Sequence, residues 1–401
     1  MISSKAIVGW LSALYLACAS ASAATSSVQS SNSALATFAP LGVSNAPAEP
    51  ATNALGLPVR LAPATLFAYF RQRYETRVEI DTNGVTRTVP LPDPMREEQL
   101  HFALSSDGRH WTPLNNNRPV WTQRLRDPYL QKGPDALWRL VATGGNGLKP
   151  PGSPAPRSQV ALPLCLYAES SDLLTWTNVH ALSLMTGVRD ETGRAPRNLW
   201  APEWFYDQKN GDYFVFWSAS FEDAGWKQSR LWFCRTRDWQ TFTPAKVLFH
   251  PPYSVIDGTL MEHNGTYYLF HKEEEFGAAK GERRAIRLAT ATQLEGPYKI
   301  FEGPLNNGQI APIITEGPEL IPDPADLLHQ PSTLNNQPAP NWLLIYDYCM
   351  SNRYGASSSS DLLHWTVEPS VSFPPDARHG CFAPLTAEEA AQLRARFSFR
   401  L

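Results

Sequence analysis

The sequence is poor in charged residues and has no excess of either sign. Charged side chains make up 18% of its 401 residues, and 35 Lys and Arg against 38 Asp and Glu give a formal net charge of −3. Proteins that bind nucleic acid or anionic membranes usually carry a basic surface that attracts phosphate groups. We therefore expect neither nucleic acid nor a membrane among the partners of this chain.

Several motifs that mark other enzyme classes are missing. The sequence has no Gly-x-Ser-x-Gly elbow, no glycine-rich phosphate loop and no dinucleotide-binding fingerprint. It has only five cysteines, and the four at positions 165, 234, 349 and 381 have no metal-ligand spacing. No metal site is expected from them, and one or two disulfides or buried free thiols are both compatible with the pattern.

An uninterrupted apolar run with small residues after it occurs at the N-terminus. One lysine, a short apolar stretch and an Ala-Ser-Ala ending predict a secretory signal peptide at 1–23, with cleavage after Ala21 or Ala23. The apolar run is too short to cross a membrane. A lipid anchor at Cys18 is the weaker alternative, because a tyrosine stands where a lipobox has leucine. Residues 24–62 are rich in Ser, Ala and Pro and predict a flexible tether. We expect an extracellular protein, or a periplasmic one if the host is bacterial.

Two repeated motifs alternate along the rest of the chain. The first joins a small residue, an aspartate, a short turn, an aromatic residue and threonine; its copies are SSDGRHWTPL (105–114), SSDLLTWTNV (170–179), TRDWQTFTPA (236–245) and SSDLLHWTVE (359–368). The second series comprises RDPYL (126–130), APEWF (201–205), IDGTL (256–260) and EGPEL (316–320). Strand-like alternation surrounds both series. Each unit therefore predicts four strands, which is the pattern of a β-propeller blade.

The repeats predict an all-β, five-bladed propeller that forms a single catalytic domain over 63–401. The fifth blade has to combine the C-terminal segment RHGCFAPL (378–385) with strands from the N-terminal end of the domain. Pairing the N-terminal strands with the C-terminal strand would close the ring and remove the exposed sheet edges. A β-sandwich with similar turns is the alternative.

Acidic residues stand at the start of the second motif in each unit. In a propeller the first strand of each blade lines the central channel, so these positions converge at one end of the axis; the predicted members are Asp127, Glu203, Asp257, Glu316 and His379. Each of them alone could be a turn residue. Several carboxylates in one place repel one another and cost stability. Their convergence therefore favours a functional role over a structural one. The aspartates of the outer turns, Asp172, Asp238 and Asp361, are expected to be structural.

A cluster of carboxylates suits glycoside hydrolysis. That reaction needs one carboxylic acid to protonate the leaving oxygen and a second carboxylate as base or nucleophile. A third carboxylate nearby can keep the acid protonated by repulsion. The apolar, proline-containing stretch around Glu316 predicts an acid held protonated, while Glu319 is expected on the opposite face of the strand.

The order of motifs resembles glycoside hydrolase family 43 over roughly 63 to 395. The resemblance is carried by ALSSDGRHWTPLN, RDPYL, LWAPEW, VIDGTLME, EGPEL and RHGCFAPLT. It implies a five-bladed propeller that cleaves arabinofuranosides, xylosides or some galactosides with inversion. It also implies that Asp127 is the general base, Glu316 the general acid and Asp257 the residue that raises the pKa of the acid.

The same resemblance suggests further contacts. Trp200 and Glu203 would bind sugar hydroxyls or shape the pocket, and Arg126 and Lys272 would contact substrate or pair with the acids. His379 matches a histidine that lies near a central water or Ca²⁺ in relatives, or it is a core residue. The resemblance implies no required cofactor, and a structural Ca²⁺ near His379 is the one ion expected. We expect a monomer whose partner is a carbohydrate, a side chain of a plant or microbial polysaccharide.

Two other functions compete with this hypothesis. A sucrose- or fructan-type propeller hydrolase also contains RDP, but it needs an Asn-Asp-Pro nucleophile and a Glu-Cys acid, which this sequence lacks. A catalytically silent sugar-binding propeller would keep the fold without turnover, although the presence of all three acids argues against it. Nothing in the sequence selects among arabinofuranoside, xyloside and galactofuranoside.

Overall fold

The protein was analysed as a computed structural model. It describes residues 63–80, 86–145, 148, 163–221, 228–274, 284–302, 310–312, 314–324, 341–349, 351 and 353–397. The predicted signal peptide (1–23) and tether (24–62) lie outside the described residues. Within the described ranges, no helix has the length and apolar character needed to span a membrane.

Almost all regular structure in the described ranges is β-strand. The strands are β1 (Ala64–Arg73), β2 (Thr76–Ile80), β3 (Thr86–Pro90), β4 (Met95–Ser105), β5 (Thr112–Pro113), β6 (Trp121–Lys132), β7 (Trp138–Gly144), β8 (Cys165–Ser170), β9 (Thr177–Leu182), β10 (Trp200–Asp207), β11 (Asp212–Ala219), β12 (Arg230–Thr236), β13 (Lys246–Phe249), β14 (Val255–His263), β15 (Thr266–Glu273), β16 (Ala285–Ala291), β17 (Lys299–Ile300), β18 (Thr315–Pro322), β19 (Trp342–Tyr348), β20 (Arg353–Ser359), β21 (Thr366–Val367) and β22 (Ala377–Leu385). Helix α1 (Ala387–Phe397) follows the last strand, and a 3-10 turn occupies Asn115–Asn117. The all-β prediction is confirmed.

The strands form antiparallel sheets of consecutive neighbours. Three sheets have four strands each, in the orders β10-β11-β12-β13, β14-β15-β16-β17 and β18-β19-β20-β21. A larger sheet runs β22-β1-β4-β6-β7-β8-β9, with β5 beside β4, and β2 and β3 form a separate hairpin. The larger sheet contains two groups of four, β22-β1-β4-β5 and β6-β7-β8-β9, which join where β4 pairs with β6.

Strand β1 lies between the last strand of the domain and β4. It pairs antiparallel with β22 and with β4, and Phe67 stands opposite Phe382. The two rings stack with their centroids 4.6 Å apart, and both are buried. Apolar burial and ring stacking thus join segments from opposite ends of the domain.

The repeated Ser/Thr-x-Asp motifs form one kind of turn. In the first copy the Ser105 hydroxyl donates to Asp107, and Asp107 accepts the backbone N–H groups of Arg109 and His110. The same arrangement recurs at Asp172, Asp238 and Asp361. Such aspartates satisfy backbone donors that the turn would otherwise leave unpaired. The predicted structural role of these outer aspartates is confirmed.

A β-bulge interrupts the first strand of four successive units, β6, β10, β14 and β18. Pairing with the next strand shifts at each bulge, and one residue has a left-handed backbone. These left-handed residues are Asp127 (φ 47°), Ala201 (φ 42°), Asp257 (φ 51°) and Gly317 (φ 54°). A non-glycine residue with positive φ is strained, and such strain gathers at functional sites.

The bulges correct the predicted alignment of the acids. Asp127 and Asp257 do occupy one structural position, as expected, but Glu203 and Glu316 do not. Glu203 comes after the left-handed residue of its strand, and Glu316 comes before Gly317. The prediction relied on equal spacing from the following strand. The turns after β6, β10 and β14 differ in length (133–137, 208–211 and 264–265), so equal spacing does not define equal position.

The pairing of β1 with β22 can be tested at Gly380, which stands opposite Tyr69. A Cβ atom at Gly380 would lie 2.0 Å from the carbonyl oxygen of Ala68 and 2.8 Å from Cα of Tyr69. Because backbone cannot yield to this clash, Gly380→Ala should lower the free energy of unfolding by at least about 3 kcal/mol. Urea unfolding followed by tryptophan fluorescence measures the change.

Gly211→Ala is the matched control for this substitution. Gly211 has φ 65°, and the Cβ atom of an alanine at this position would have no neighbouring atom within 4 Å. Only backbone strain of about 1 kcal/mol is therefore expected there. Equal losses from the two substitutions would contradict the close approach of β1 and β22.

Candidate active site

A small cavity lies where the bulged strands meet. Its volume is about 20 Å³, which is enough for one water molecule. Strands β6, β10, β14, β18 and β22 contribute its walls; the residues are Asp127, Pro128, Tyr129, Ala201, Pro202, Glu203, Asp257, Gly317, Pro318, Glu319, His379 and Gly380. The structure therefore brings together Asp127, Glu203, Asp257 and His379, as the sequence predicted, and adds Tyr129 and Glu319.

His379 occupies the centre of the cluster. Its Nδ1 atom is 3.2 Å from Oδ1 of Asp127, and its Nε2 atom is 3.6 Å from Oδ2 of Asp257. The same Nε2 atom is 3.7 Å from both Glu316 Oε1 and Asp347 Oδ2. Burial lowers the pKa of His379, but the surrounding carboxylates outweigh it and raise the pKa to about 10. The ring is therefore an imidazolium ion at neutral pH.

Asp127 is held in its ionised form. Burial raises the pKa of Asp127, but the contact with His379 and the charge of Arg126 outweigh it and bring the pKa to about 2. The side chain of Thr143 also hydrogen-bonds to this carboxylate. A general base has to be ionised to accept a proton, and Asp127 meets this condition.

The pKa of Asp257 is shifted in the opposite direction from that of Asp127. Burial raises its pKa to about 6, in the direction also favoured by the charges of Glu316 and Asp127, although His379 and Lys272 oppose the shift. Its Oδ2 atom accepts the backbone N–H of Gly317 at 3.2 Å. Asp257 can therefore carry a proton in a pH range where Asp127 cannot.

The structure corrects the predicted setting of Glu316, which is ionic and not apolar. Lys272 Nζ lies 2.6 Å from its Oε2 atom, and Arg378 Nη2 contacts its Oε1 atom. Burial raises the pKa of Glu316, but Lys272 and Arg378 outweigh it and hold the pKa well below its usual range. The expectation that this carboxyl is held protonated is wrong for the free protein, because Arg378 approaches from β22 and its neighbourhood in sequence gives no sign of the contact.

Glu319 does not lie apart from the cluster, as the alternation of a regular strand predicted. The bulge between Glu316 and Glu319 turns its side chain into the small cavity, where it hydrogen-bonds to Glu203. Burial raises the pKa of Glu319 to about 8 and that of Glu203 well above its usual range, and in Glu203 the charge of Glu319 adds to the effect. Both carboxyls are therefore favoured in their protonated form at neutral pH.

Comparison with known proteins identifies the domain. Residues 92–391 match a family that is related to glycoside hydrolase family 43 and is described as a probable glycosyl hydrolase domain. The chain belongs to this family. The predicted recognition of a family 43 type of domain is confirmed, and the chain thus carries a glycosyl hydrolase domain.

Three individual relatives of the family 43-related chain align with a smaller part of it than the family match does. An alpha-L-arabinofuranosidase of Bifidobacterium longum subsp. longum is 31% identical over 124 residues, which is 28% of this chain and 12% of that protein. An endo-arabinase structure from Bacteroides thetaiotaomicron is 19% identical and covers 64% of this chain and 84% of its own, with a TM-score of 0.42. An alpha-L-arabinofuranosidase structure from Lactobacillus brevis is 17% identical and covers 62% and 73%, with a TM-score of 0.41.

The remaining predicted contacts of the family 43-related domain divide into two groups. Lys272 is buried and contacts Glu316 and, at 2.7 Å, Glu274 Oε2, so it pairs with acids. Trp200 and Arg126 instead line a separate cavity of about 290 Å³. They hold the positions just before the left-handed residues of β10 and β6. Sequence reasoning missed Arg378, and left Asp347 unassigned, because neither follows the repeat that revealed the other acids.

The donors near His379 do not fit the Ca²⁺ ion that the family resemblance suggested. Oxygen atoms of Asp257 and Glu316 and a ring nitrogen of His379 lie within 4.8 Å of one another. Both oxygens of Glu316 already contact cations, and a protonated imidazole has no lone pair for a metal. We assign no step of the chemistry to a metal. The four cysteines at 165, 234, 349 and 381 are buried free thiols, so the structure selects the second of the two alternatives for them.

The proton that Glu319 keeps in the folded state makes stability depend on pH. The pKa of Glu319 is raised in the folded state from 4.5 to about 8, so the folded form keeps a proton that the unfolded chain releases. This contribution is complete below pH 4.5 and is lost as the pH rises through about 8. Glu319→Gln removes the titrating group, so the fall in Tm between pH 5 and pH 8, measured by calorimetry, should be smaller than in the wild type.

The exposed Glu75 provides a control that removes one carboxyl elsewhere. Glu75→Gln is expected to leave the slope of Tm against pH unchanged. If Glu319→Gln and the wild type lose the same Tm over this interval, the raised pKa of Glu319 is ruled out.

Proposed function

We propose that the protein is a secreted, inverting glycoside hydrolase that removes terminal furanoside or xyloside units from polysaccharide side chains. Its type would be that of an arabinofuranosidase, xylosidase or galactofuranosidase. The observation that carries the proposal is the opposite shift of two carboxyls in one buried site, with Asp127 ionised and Asp257 able to hold a proton. Groups whose pKa values are driven apart are suited to be base and acid. The proposals that the protein is secreted and monomeric rest on the sequence alone.

We also propose that the sheets are the blades of a five-bladed propeller. Five groups of four strands support this: two within the larger sheet and three separate sheets. The bulged first strands of four groups, together with β22, all reach the same small cavity. In a propeller the innermost strands converge on the axis, so this arrangement is the one expected of blades around a common channel.

In the proposed mechanism Asp127 removes a proton from the attacking water. Inverting enzymes hold their base and acid roughly 6.5–9.5 Å apart, so that water fits between base and sugar. The imidazolium ring of His379 stands between Asp127 and Glu316, contacting each through a different nitrogen. A ring between the two carboxyls prevents direct contact and supports the wider, inverting spacing. His379 also keeps Asp127 ionised, so that Asp127 can accept a proton as a base.

Asp257 and Glu316 together supply the acid proton. Lys272 and Arg378 hold Glu316 as a carboxylate in the free protein, whereas the raised pKa of Asp257 lets this group take up a proton as the pH falls toward about 6. An oxygen atom of Asp257 lies within 4.8 Å of one of Glu316, so the two titrate as a coupled pair. Glu316 is the member that delivers the proton to the departing oxygen, once the substrate has entered and the proton has moved to it.

A non-hydrolytic sugar-binding propeller is the second candidate. The two cations on Glu316 favour it, because they oppose protonation of the proposed acid. Such a protein would bind sugars without releasing them from a glycoside.

Hydrolysis of nitrophenyl glycosides tests the function directly. The panel contains the arabinofuranoside, xyloside and galactofuranoside, and at least one should be hydrolysed with inversion at the anomeric carbon, followed by proton NMR of the first-formed product. Asp127→Asn should lower the rate by about 10²–10⁴-fold, because the base is lost. A first-formed product of retained configuration would overturn the single-displacement mechanism, and no turnover on any member would favour the sugar-binding alternative.

The acid assignment predicts a dependence on the leaving group. A good leaving group such as dinitrophenolate departs without a proton, whereas a methanol or sugar leaving group needs one. Glu316→Gln should therefore lose about 10²–10⁴-fold on methyl glycosides and much less on dinitrophenyl glycosides. Asp127→Asn should lose equally on both, which makes it the matched comparison. Equal losses for Glu316→Gln on the two substrates would contradict its role as acid.

A further inference from the structure

The cavity of about 290 Å³ lies directly beside Asp127. Its walls come from β4, β6, β7, the start of β10 and the segments before β8 and β10, and its polar and aromatic lining includes Glu98, Arg124, Arg126, Thr143, Arg197 and Trp200. Arg126 precedes Asp127 in the chain, and Thr143 hydrogen-bonds to the Asp127 carboxylate. Its size is near the lower end of small-ligand pockets, which begin at roughly 300 Å³. The cavity is therefore placed to hold a sugar unit next to the proposed base.

Cationic side chains predominate in the walls of this cavity. Three guanidinium groups, those of Arg124, Arg126 and Arg197, line it together with one carboxylate, that of Glu98. Three positive charges and one negative leave a balance of +2. The carboxylate is already used, because Arg124 Nε donates to Glu98 Oε2 at 2.8 Å. The walls thus attract negative charge.

Among the described residues, the guanidinium of Arg126 has no ion-pair partner, although its charge lowers the pKa of the neighbouring Asp127. Within the described residues, its guanidinium makes no hydrogen bond and no ion pair, and its Nε atom is buried without a partner. Its guanidinium carbon lies 5.2 Å from the centroid of the Phe70 ring. Arg378, which also directly precedes a bulge residue of the site, is by contrast paired with Glu316 and Asp347. A buried donor without a partner costs free energy and calls for an explanation.

We propose that this cavity binds an acidic sugar unit of the substrate, through an anionic group held by Arg126. A carboxylate or a sulfate group can accept two parallel N–H bonds from one guanidinium, which a neutral hydroxyl cannot match. The half-buried ring of Trp200 offers an apolar face on which a sugar can stack. The unit bound here is adjacent to the sugar that is cleaved at Asp127. This inference builds on the proposed function and narrows its substrates to acidic glycans.

Direct binding measurements on the full protein test the cavity without requiring turnover. Calorimetry with glucuronic acid, galacturonic acid and galactose 6-sulfate is compared with glucose and galactose. At least one acidic sugar should bind about tenfold more tightly than its neutral parent, and the difference should shrink as salt is added. The uronic acids and the sulfated sugar separate a carboxylate site from a sulfate site.

Substitutions assign the preference to Arg126. Arg126→Met should remove the difference between acidic and neutral sugars, while Arg126→Lys, which keeps the charge but not the paired donors, should retain part of it. The exposed Arg118 lies outside the cavity, so Arg118→Met controls for the loss of one positive charge. Thermal unfolding checks that each variant folds. If Arg126→Met does not fold, the binding comparison is made with Arg126→Lys alone.

The outcomes separate this inference from the proposed function. Equal binding of acidic and neutral sugars by the wild type, or a preference that survives in Arg126→Met, overturns the acidic site even if nitrophenyl glycosides are hydrolysed. A preference lost in Arg126→Met and kept in Arg118→Met supports the site, even if no glycoside in the panel is cleaved and hydrolysis itself is rejected.

Discussion

The positive charge of His379 is the interaction on which the site depends. Four carboxylates, those of Asp127, Asp257, Glu316 and Asp347, lie within 3.7 Å of its ring nitrogens. Buried like charges at such distances repel strongly, and a neutral ring would leave them uncompensated. Because the ring is protonated, strands β6, β14, β18 and β19 can bring these four acids to the same place. The pKa values of these acids then follow from how close each lies to a cation.

The protein neutralises its buried acids in three different ways. The imidazolium ion compensates Asp127, two longer cations compensate Glu316, and protonation neutralises Glu203 and Glu319. Each solution leaves a different protonation state within one small region. This variety gives the site both a permanent carboxylate and a carboxyl that can release a proton, which a uniform environment could not provide.

Much of the fold, and part of the site, can be predicted from the sequence. The Ser/Thr-x-Asp turns depend on local hydrogen bonds, so their motif reveals them wherever it occurs. Asp127 and Asp257 share one structural position, as the motifs predict, because the bulge recurs at the same point of both motifs. Glu319 was misplaced because a bulge changes which face a side chain takes, and nothing in EGPEL announces the bulge. Arg378 was missed because its partners lie on other strands, and long-range pairing leaves no local pattern.

The position of β22 has a consequence for how the protein is made. This strand is the last in the domain, and it carries both Arg378 and His379, whereas the acids that they compensate lie on strands synthesised earlier. While the chain is still emerging, the carboxylates of β6, β14 and β18 lack these counter-charges and have an electrostatic reason to stay apart. The site is therefore assembled only when synthesis has reached the final strand and that strand has paired with β1. A chain interrupted before this point lacks both residues, so its carboxylates have only the cations of earlier strands, such as Lys272, to balance them.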